Sequence, residues 1–290
     1  MNRLDIQLVI KELGEKNIME TDNLEYETLS GGTVSKLYLI KFSKKPTYVI
    51  KSNVPAIVKA ESEFLSLYQS IHLLPKLFYV DPSYQYIVYQ FLEGSIATGK
   101  NKKEMLVDLV EKLINQYQIV ANTNGWGWVD EPSDSWHTFL LNRVFEQRQF
   151  VGKYLGKEDT ELVIDLVNKH ANKSTQPYLL HGDCGVHNFI FNDGKLTGVI
   201  DPTPVIGDPL YDVIYAFSSS PADLAEETIR EAVKYLKNAK LYSKADIFEN
   251  VIIGLYFRIG TCIKHHPKDL EEYLAAWKYW KEILRKRDSY

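Results

Sequence analysis

The chain predicts an α+β fold in two lobes, with a strand-rich part first and a helical part after it. Two observations carry this. Residues 24–91 hold several short stretches of strand-like alternation, as in Tyr38-Leu39-Ile40-Lys41-Phe42 and Tyr48-Val49-Ile50-Lys51. From about residue 102 onward the apolar residues recur mostly at helical spacing. Leu92-Glu93-Gly94-Ser95 is the natural join, giving lobes 1–92 and 93–290.

Each element has its own signal. Residues 4–17 read as an amphipathic helix. Strands follow at 24–29, 36–42 and 47–51, then a helix over 56–70 and strands at 77–80 and 86–91. Helices are expected at 102–121, 136–155, 158–171, 208–218, 222–238, 244–261 and 268–286. No internal repeat or low-complexity segment interrupts the order.

Bulk properties narrow the function classes. A chain of 290 residues can bury a substantial core and sits near the length where one core divides. A composition of 45% hydrophobic and 25% charged residues is that of an ordinary soluble protein. No apolar run reaches the eighteen residues of a membrane span. Met1-Asn2-Arg3-Leu4-Asp5 lacks the apolar core of a signal peptide, and the two cysteines, Cys184 and Cys262, lack metal-ligand spacing. A reducing cytoplasm is the expected location. Net charge is −4, with the acid excess in residues 101–203 (14 acids, 10 bases), so no basic face advertises nucleic acid. No obligate protein partner is evident.

Chemistry concentrates in His181-Gly182-Asp183-Cys184-Gly185-Val186-His187-Asn188, followed by Ile200-Asp201. Two carboxylates and a carboxamide set by a strand, a loop and a hairpin can hold Mg²⁺ and aim a hydroxyl at a nucleotide phosphate. Asn192-Asp193-Gly194-Lys195 is a strong hairpin signal. With Asp193 and Gly194 as the turn, Asn188 falls opposite Val199. Asp201 then shares a face with Asn188 as its diagonal neighbour. A slip of one residue would separate them. Singly, Asp183 reads as a turn aspartate, Asn188 as a backbone binder and Asp201 before Pro202 as a strand end; it is the joint spacing that points to a site.

Two glycine-bearing segments are weighed for phosphate binding. Ser30-Gly31-Gly32-Thr33-Val34-Ser35 lies between two strands, where Gly31 and Gly32 let amides approach a phosphate and where a plain hairpin turn is the simpler reading. Gly94 to Asn101 nearly matches a Walker A loop, but Asn101 stands where a metal-binding Ser or Thr is needed.

The order H-G-D-x-x-x-x-N, then Ile200-Asp201, then Gly207-Asp208-Pro209 and Asp212, resembles the aminoglycoside phosphotransferase and choline kinase-like family. These are small-molecule kinases with a protein-kinase-like fold. The resemblance implies that Asp183 is the catalytic base and that Asn188 and Asp201 ligate Mg²⁺. It further implies that His181 and Asp208 support the catalytic loop and that the Gly31-Gly32 turn through Ser35 covers the phosphates. Lys51 would contact the α- and β-phosphates, held by Glu61, with Glu63 as the rival partner. Adenine is expected on the backbone between Gln90 and Leu92. The pattern departs from protein kinases: Gly182 stands where they have Arg, Pro202 follows the metal aspartate, and no Ala-Pro-Glu occurs, so activation-loop regulation has no support.

The resulting expectation is an ATP- and Mg²⁺-dependent phosphotransferase, with GTP an open alternative donor, acting on a hydroxyl of a small molecule. A catalytically silent kinase-like binding module and a P-loop nucleotide hydrolase are the alternatives. The acceptor is open among aminoglycosides, choline, amino-alcohols, sugars and other metabolites. Trp126, Trp128 and Trp136 beside Asp130, Glu131 and Asp134 read first as packing and second as a cation pocket. Trp277, Tyr279 and Trp280 read as core, and His265-His266 as solvent-exposed.

Overall fold

A computed structural model describes residues 4–29, 35–96, 101–121, 125–171 and 175–288. Helix α1 (Ile6–Glu15) starts at Asp5, whose side chain accepts from Gln7 N at 3.0 Å. It is followed by β1 (Leu24–Leu29), β2 (Lys36–Phe42), β3 (Lys45–Ser52), α2 (Pro55–Leu67), β4 (Leu77–Val80) and β5 (Tyr86–Gln90). Pro55 supplies a fixed φ at the first turn of α2. The five strands form one antiparallel sheet in the order β1-β2-β3-β5-β4.

The two-residue period of the strands sorts their side chains between two cores. Ile40, Ile50, Tyr86 and Val88 pack with Ile6, Val9 and Leu13 of α1. Leu39, Val49, Ile87 and Tyr89 belong to a larger core that includes Val58, Phe64 and Leu65 of α2 and runs on into the helices.

The rest of the chain adds α3 (Lys102–Lys112), β6 (Gly127–Trp128), α4 (Trp136–Val151), α5 (Lys157–Lys169), β7 (Tyr178–Leu180), β8 (Phe189–Asn192), β9 (Lys195–Val199), β10 (Val205–Gly207), α6 (Leu210–Ser218), α7 (Glu226–Lys234), α8 (Lys244–His265) and α9 (Leu270–Asp288). The 22-residue α8 is the spine: α4, α5, α6 and α9 all pack on it. A reciprocal Ser243–Asp246 capping box fixes its start. Segment 92–95 is tied to β8 by Ser95 N to Phe191 O (3.0 Å) and Phe191 N to Ser95 O (2.8 Å). Among the described residues no helix is long and apolar enough to cross a membrane.

Two differences from the sequence reading matter to the site. The helix expected over 102–121 ends at Lys112, and after one tight turn the chain runs beside β7, with Leu179 N donating to Gln118 O and Val120 N to Pro177 O. That exit carries Tyr117 into the buried centre. Strands β6 and β10, of two and three residues, order with β7 as β6-β10-β7. They are too short to show a period in sequence.

Candidate active site

Lys51 sits on β3 in phase with Val49, so its side chain points inward from the sheet. On α2, Val58, Glu61 and Leu65 follow the helical repeat of the buried face. That phase brings Glu61 Oε2 to 2.6 Å from Lys51 Nζ, with both side chains almost fully buried. Glu63 lies on the outer face and pairs loosely with Lys59 at 3.9 Å. Lys51 also hydrogen-bonds Asp201 Oδ1. Burial works against the Lys51 ammonium, but Glu61 and Asp201 outweigh it and hold its pKa above the ordinary range. Burial pushes the Glu61 carboxyl up, against the pull of Lys51.

The hairpin forms where its turn signal lies, with Asp193 and Gly194 both at positive φ. Its register corrects the sequence reading. Asn192 faces Lys195 and Phe191 faces Leu196, but a bulge then sets Ile190 opposite Gly198 and Phe189 opposite Val199. Continuing that step, Asn188 O accepts from Ile200 N at 2.9 Å, so Asn188 is not opposite Val199. A simple pleat would now point Asn188 and Asp201 apart. Instead the chain leaves the strand: Asp201 has φ +61° and turns toward Lys51. Asn188 Nδ2 donates to Asp183 Oδ2 at 2.9 Å and to Asp183 O at 3.0 Å. Its amide oxygen is thereby the end presented for a cation. The segments that carry Asp183 and Asp201 both meet the buried His181 ring, through Asp183 N at Nδ1 and Ile200 O at Nε2.

His181 is fully buried, with Nε2 at 3.1 Å from Ile200 O and Nδ1 accepting from Asp183 N at 3.3 Å. Burial lowers its pKa to about 4, so the ring is neutral. Gly182 is at φ +80°, and an added Cβ would lie 1.9 Å from Thr203 O. Only glycine lets this loop close on the segment after Asp201.

The brace of the loop is Asp212, correcting the expectation of Asp208. Asp212 on α6 accepts from His181 N (3.0 Å), Gly182 N (3.1 Å) and the Tyr117 hydroxyl (2.6 Å). Burial raises its pKa to about 6 against those bonds. Asp208 serves elsewhere, accepting from Leu210 N at 2.8 Å and from the Tyr242 hydroxyl at 2.5 Å. The resemblance points to Asp208, but it is Asp212, four residues on, that reaches the loop.

Asp183 is held ionised. Burial opposes this, but hydrogen bonds from His187 and Tyr215 and the nearby imidazoles bring its pKa down to about 2. His187 Nε2 lies 3.4 Å from Asp183 Oδ2. Neither partner had a signal in the sequence, since both depend on the loop's path and on α6.

The remaining expectations divide. Gly31 and Gly32 lie outside the described residues, as does the stretch 97–100 of the Walker-like segment. Asn101 is the N-cap of α3, accepting from Glu104 N at 3.3 Å. Ser35 Oγ accepts from Asn53 Nδ2 at 2.9 Å, which joins the turn's base to the end of β3. Gln90 N donates to Lys76 O and Phe91 N to Thr47 O, both at 2.9 Å. The amide expected at Gln90 for adenine is therefore already bonded, which moves that expectation toward Leu92.

Beside the loop, α4, α6 and α8 enclose a cleft of about 170 Å³, lined by Trp136, Arg143, Tyr211, Tyr215, Phe257 and Arg258 among others. Tyr211 and Tyr215 line this cleft from either side of Asp212 in sequence, and Asp212 holds the backbone of His181 and Gly182, so the cleft lies against the loop that carries Asp183. Trp136 stacks on Phe139, and Trp128 lies over the guanidinium of Arg143 at 5.1 Å. The cation on that indole belongs to the protein itself. Trp277 and Trp280 are core, Tyr279 is exposed, and His265 and His266 are exposed.

No curated protein matches the sequence. Solved structures do match in fold. The aminoglycoside phosphotransferase APH(4)-Ia, in a ternary complex with ADP and hygromycin B, is 16% identical with a TM-score of 0.61, over 96% of this chain and 98% of that one. The gentamicin complex of APH(2")-IIa is 18% identical with a TM-score of 0.61, over 96% and 97%. The ADP-bound APH(2'')-Ib is 20% identical with a TM-score of 0.58, over 94% and 98%. The antiparallel sheet followed by helices is thus the protein-kinase-like fold of these enzymes. Residues 26–246, most of the sheet and the whole of the Asp183–Asp212 region, match the phosphotransferase enzyme family, and the chain belongs to that family of small-molecule kinases.

Proposed function

We propose that this protein transfers the γ-phosphoryl group of ATP to a hydroxyl of a small molecule bound in the cleft beside Asp183. The observation that supports it most is the buried Lys51–Glu61 pair with Asp201 on Lys51, beside the Asp183–Asn188 hydrogen bond, on segments that meet at His181. Such chemistry asks the protein for positioning and charge stabilisation more than for covalent steps. Lys51, fixed by Glu61, grips the α- and β-phosphates. The acceptor oxygen attacks the γ-phosphorus, the bond from that phosphorus to the β–γ bridging oxygen breaks, and ADP leaves. Asp183 receives the hydroxyl proton through Oδ. With its pKa near 2 it is a weak base, so it first orients the hydroxyl and takes the proton only as the new P–O bond forms.

Asn188 and Asp201 would hold Mg²⁺. The donor set fits, being hard oxygens with the Asp201 side chain half exposed. When bound, the ion neutralises phosphate charge. A silent binding module would be marked by loss of Lys51, Asp183 or Asp201, and all three are present. Two of the similar enzymes are seen in complex with hygromycin B and with gentamicin; aminoglycosides therefore belong in the first panel beside choline, amino-alcohols, sugars and hydroxy acids. The cytoplasm, where ATP is available, is the proposed location.

The test is ADP formation by the pure protein with that panel, beside titration of Mg-ATP. Turnover above the basal rate with at least one acceptor, and loss of Mg-ATP binding by at least about tenfold in Asp201→Ala, are expected. A wild-type protein that does not bind Mg-ATP would end the proposal.

A further inference from the structure

The charges of the cleft do not suit a polyamine. Arg143 on α4 is 8% exposed, with its guanidinium between the rings of Trp128 and Phe257 at 5.1 Å from each centroid. Nη1 donates to the Tyr211 hydroxyl at 2.8 Å, the one hydrogen bond it makes among the described residues. Its nearest carboxylate among them, Glu146, is 3.9 Å from Nε and 59% exposed. Arginine stays charged in any protein environment and carries five N–H donors. A buried guanidinium with one hydrogen bond and a distant, hydrated counter-charge is costly unless something else arrives to pair with it. Arg258 on α8 lines the same cleft, donates Nε to the Tyr273 hydroxyl at 2.9 Å and has no ion pair among the described residues.

The acids of the cleft are already committed. Asp208 receives the Tyr242 hydroxyl and Leu210 N, and Asp246 receives Ser243 N and Oγ at 2.9 and 2.8 Å. The anionic groups are thus used inside the fold, while the cationic ones keep donors to spare. Tyr211, the partner of Arg143, lies beside Tyr215 on α6, their ring centroids 6.3 Å apart, and the intervening Asp212 holds His181 N and Gly182 N at 3.0 and 3.1 Å, just before Asp183.

Building on the kinase reading of this site, we propose that the acceptor carries a compact oxyanion, a carboxylate in the first instance, bound by Arg143 while its hydroxyl faces Asp183. The guanidinium fork matches a carboxylate or phosphate with two parallel N–H···O bonds. The rings of Trp128 and Phe257 hold that planar fork in place and shield it from water.

The experiment uses four three-carbon probes: glycerate, glycerol 3-phosphate, glyceramide and 3-amino-1,2-propanediol. Ligand-observed NMR on the wild-type protein with Mg-ADP gives their relative affinities. At least one anion is expected to bind about tenfold or more tighter than both the neutral and the cationic probe, the size of a charge-assisted bond pair. The two anions against each other show whether a carboxylate or a phosphate is the better fit. The preference is expected to vanish in Arg143→Gln and to return in part in Arg143→Lys. Equal affinity across the four probes, total absence of binding included, overturns the inference, as does an unchanged preference in Arg143→Gln. Mg-ADP binding in the same samples reports on the kinase reading separately. A protein that holds Mg-ADP and phosphorylates kanamycin but no anionic acceptor would refute the oxyanion and leave the kinase standing.

Discussion

The nucleotide corner and the acceptor cleft are built on opposite electrostatic plans. In the corner, Lys51 lies between Glu61 and Asp201, so its charge is more than matched before any ligand arrives. In the cleft, Arg143 and Arg258 carry charge that the surrounding fold leaves under-matched. The corner is assembled from two neighbouring elements, β3 and α2, and one loop. The cleft draws its lining from three helices far apart in sequence, α4, α6 and α8. A site that holds one fixed ligand can be set by tight, mutually paired residues. A site that selects an acceptor is finished by the acceptor, so its groups look incomplete without it.

The sharpest way to break this comparison is at Asp183. Asp183→Asn keeps the hydrogen bond geometry to Asn188 and removes the proton acceptor. It is expected to lower kcat by about 10²–10⁴ while ATP affinity stays within about twofold. Steady-state ADP formation and a nucleotide titration on one preparation decide it. A variant that turns over at the wild-type rate would remove Asp183 from the chemistry and make the cleft unrelated to the corner.

How much of this was legible beforehand follows the same division. The strand-first order, the hairpin turn and the His181–Asn188 loop could be read because each leaves a local mark of alternation, Asp-Gly or spacing. Helical phase favoured Glu61 over Glu63 but left both open, and the buried contact with Lys51 decides for Glu61. Asp212, Tyr117, Tyr215 and Arg143 were not read as site residues. Their roles arise where the chain leaves α3 early and where α6 crosses the loop, and no neighbouring residue records that crossing. The hairpin register went wrong for the opposite reason. A bulge at residues 196–198 has no side-chain requirement here, and it shifted the pairing beyond a correctly placed turn by one residue.

The second test addresses the corner's self-sufficiency. Glu61→Ala leaves Lys51 buried with only half-exposed Asp201 as partner, and breaking a buried pair typically costs about 3–5 kcal/mol. Denaturant unfolding should show a loss in that range together with weakened Mg-ATP binding. A loss under about 1 kcal/mol would mean that Asp201 alone satisfies Lys51.

The third test sets the loop's two aspartates against each other. Asp183 has its pKa lowered to about 2 from an ordinary 3.8, so it contributes stability above pH 3.8 that is lost as pH falls toward 2. Asp212 has its pKa raised to about 6, so its contribution is full below pH 3.8 and is lost as pH rises through 6. Each window spans on the order of 2 kcal/mol. Asp183→Asn should flatten the stability profile below pH 4, and Asp212→Asn should flatten it between pH 4 and 6. Unfolding free energies measured at half-unit pH steps distinguish the two. Identical profiles for both variants would contradict the opposite environments described for them.

The smallest expected effect is the control for the second test. Glu63 sits two residues from Glu61 on the same helix, with the same charge and a lysine of its own, Lys59, at 3.9 Å. Both of those side chains are 54% exposed, so water already satisfies the charges and the pair is worth at most about 0.5 kcal/mol. Glu63→Ala should leave stability within that margin and Mg-ATP binding unchanged. The contrast with Glu61→Ala then isolates burial as the cause, since residue type, helix and local sequence are held constant. A loss at Glu63 equal to that at Glu61 would trace both effects to the helix itself and strip the Lys51–Glu61 pair of its special place in the corner.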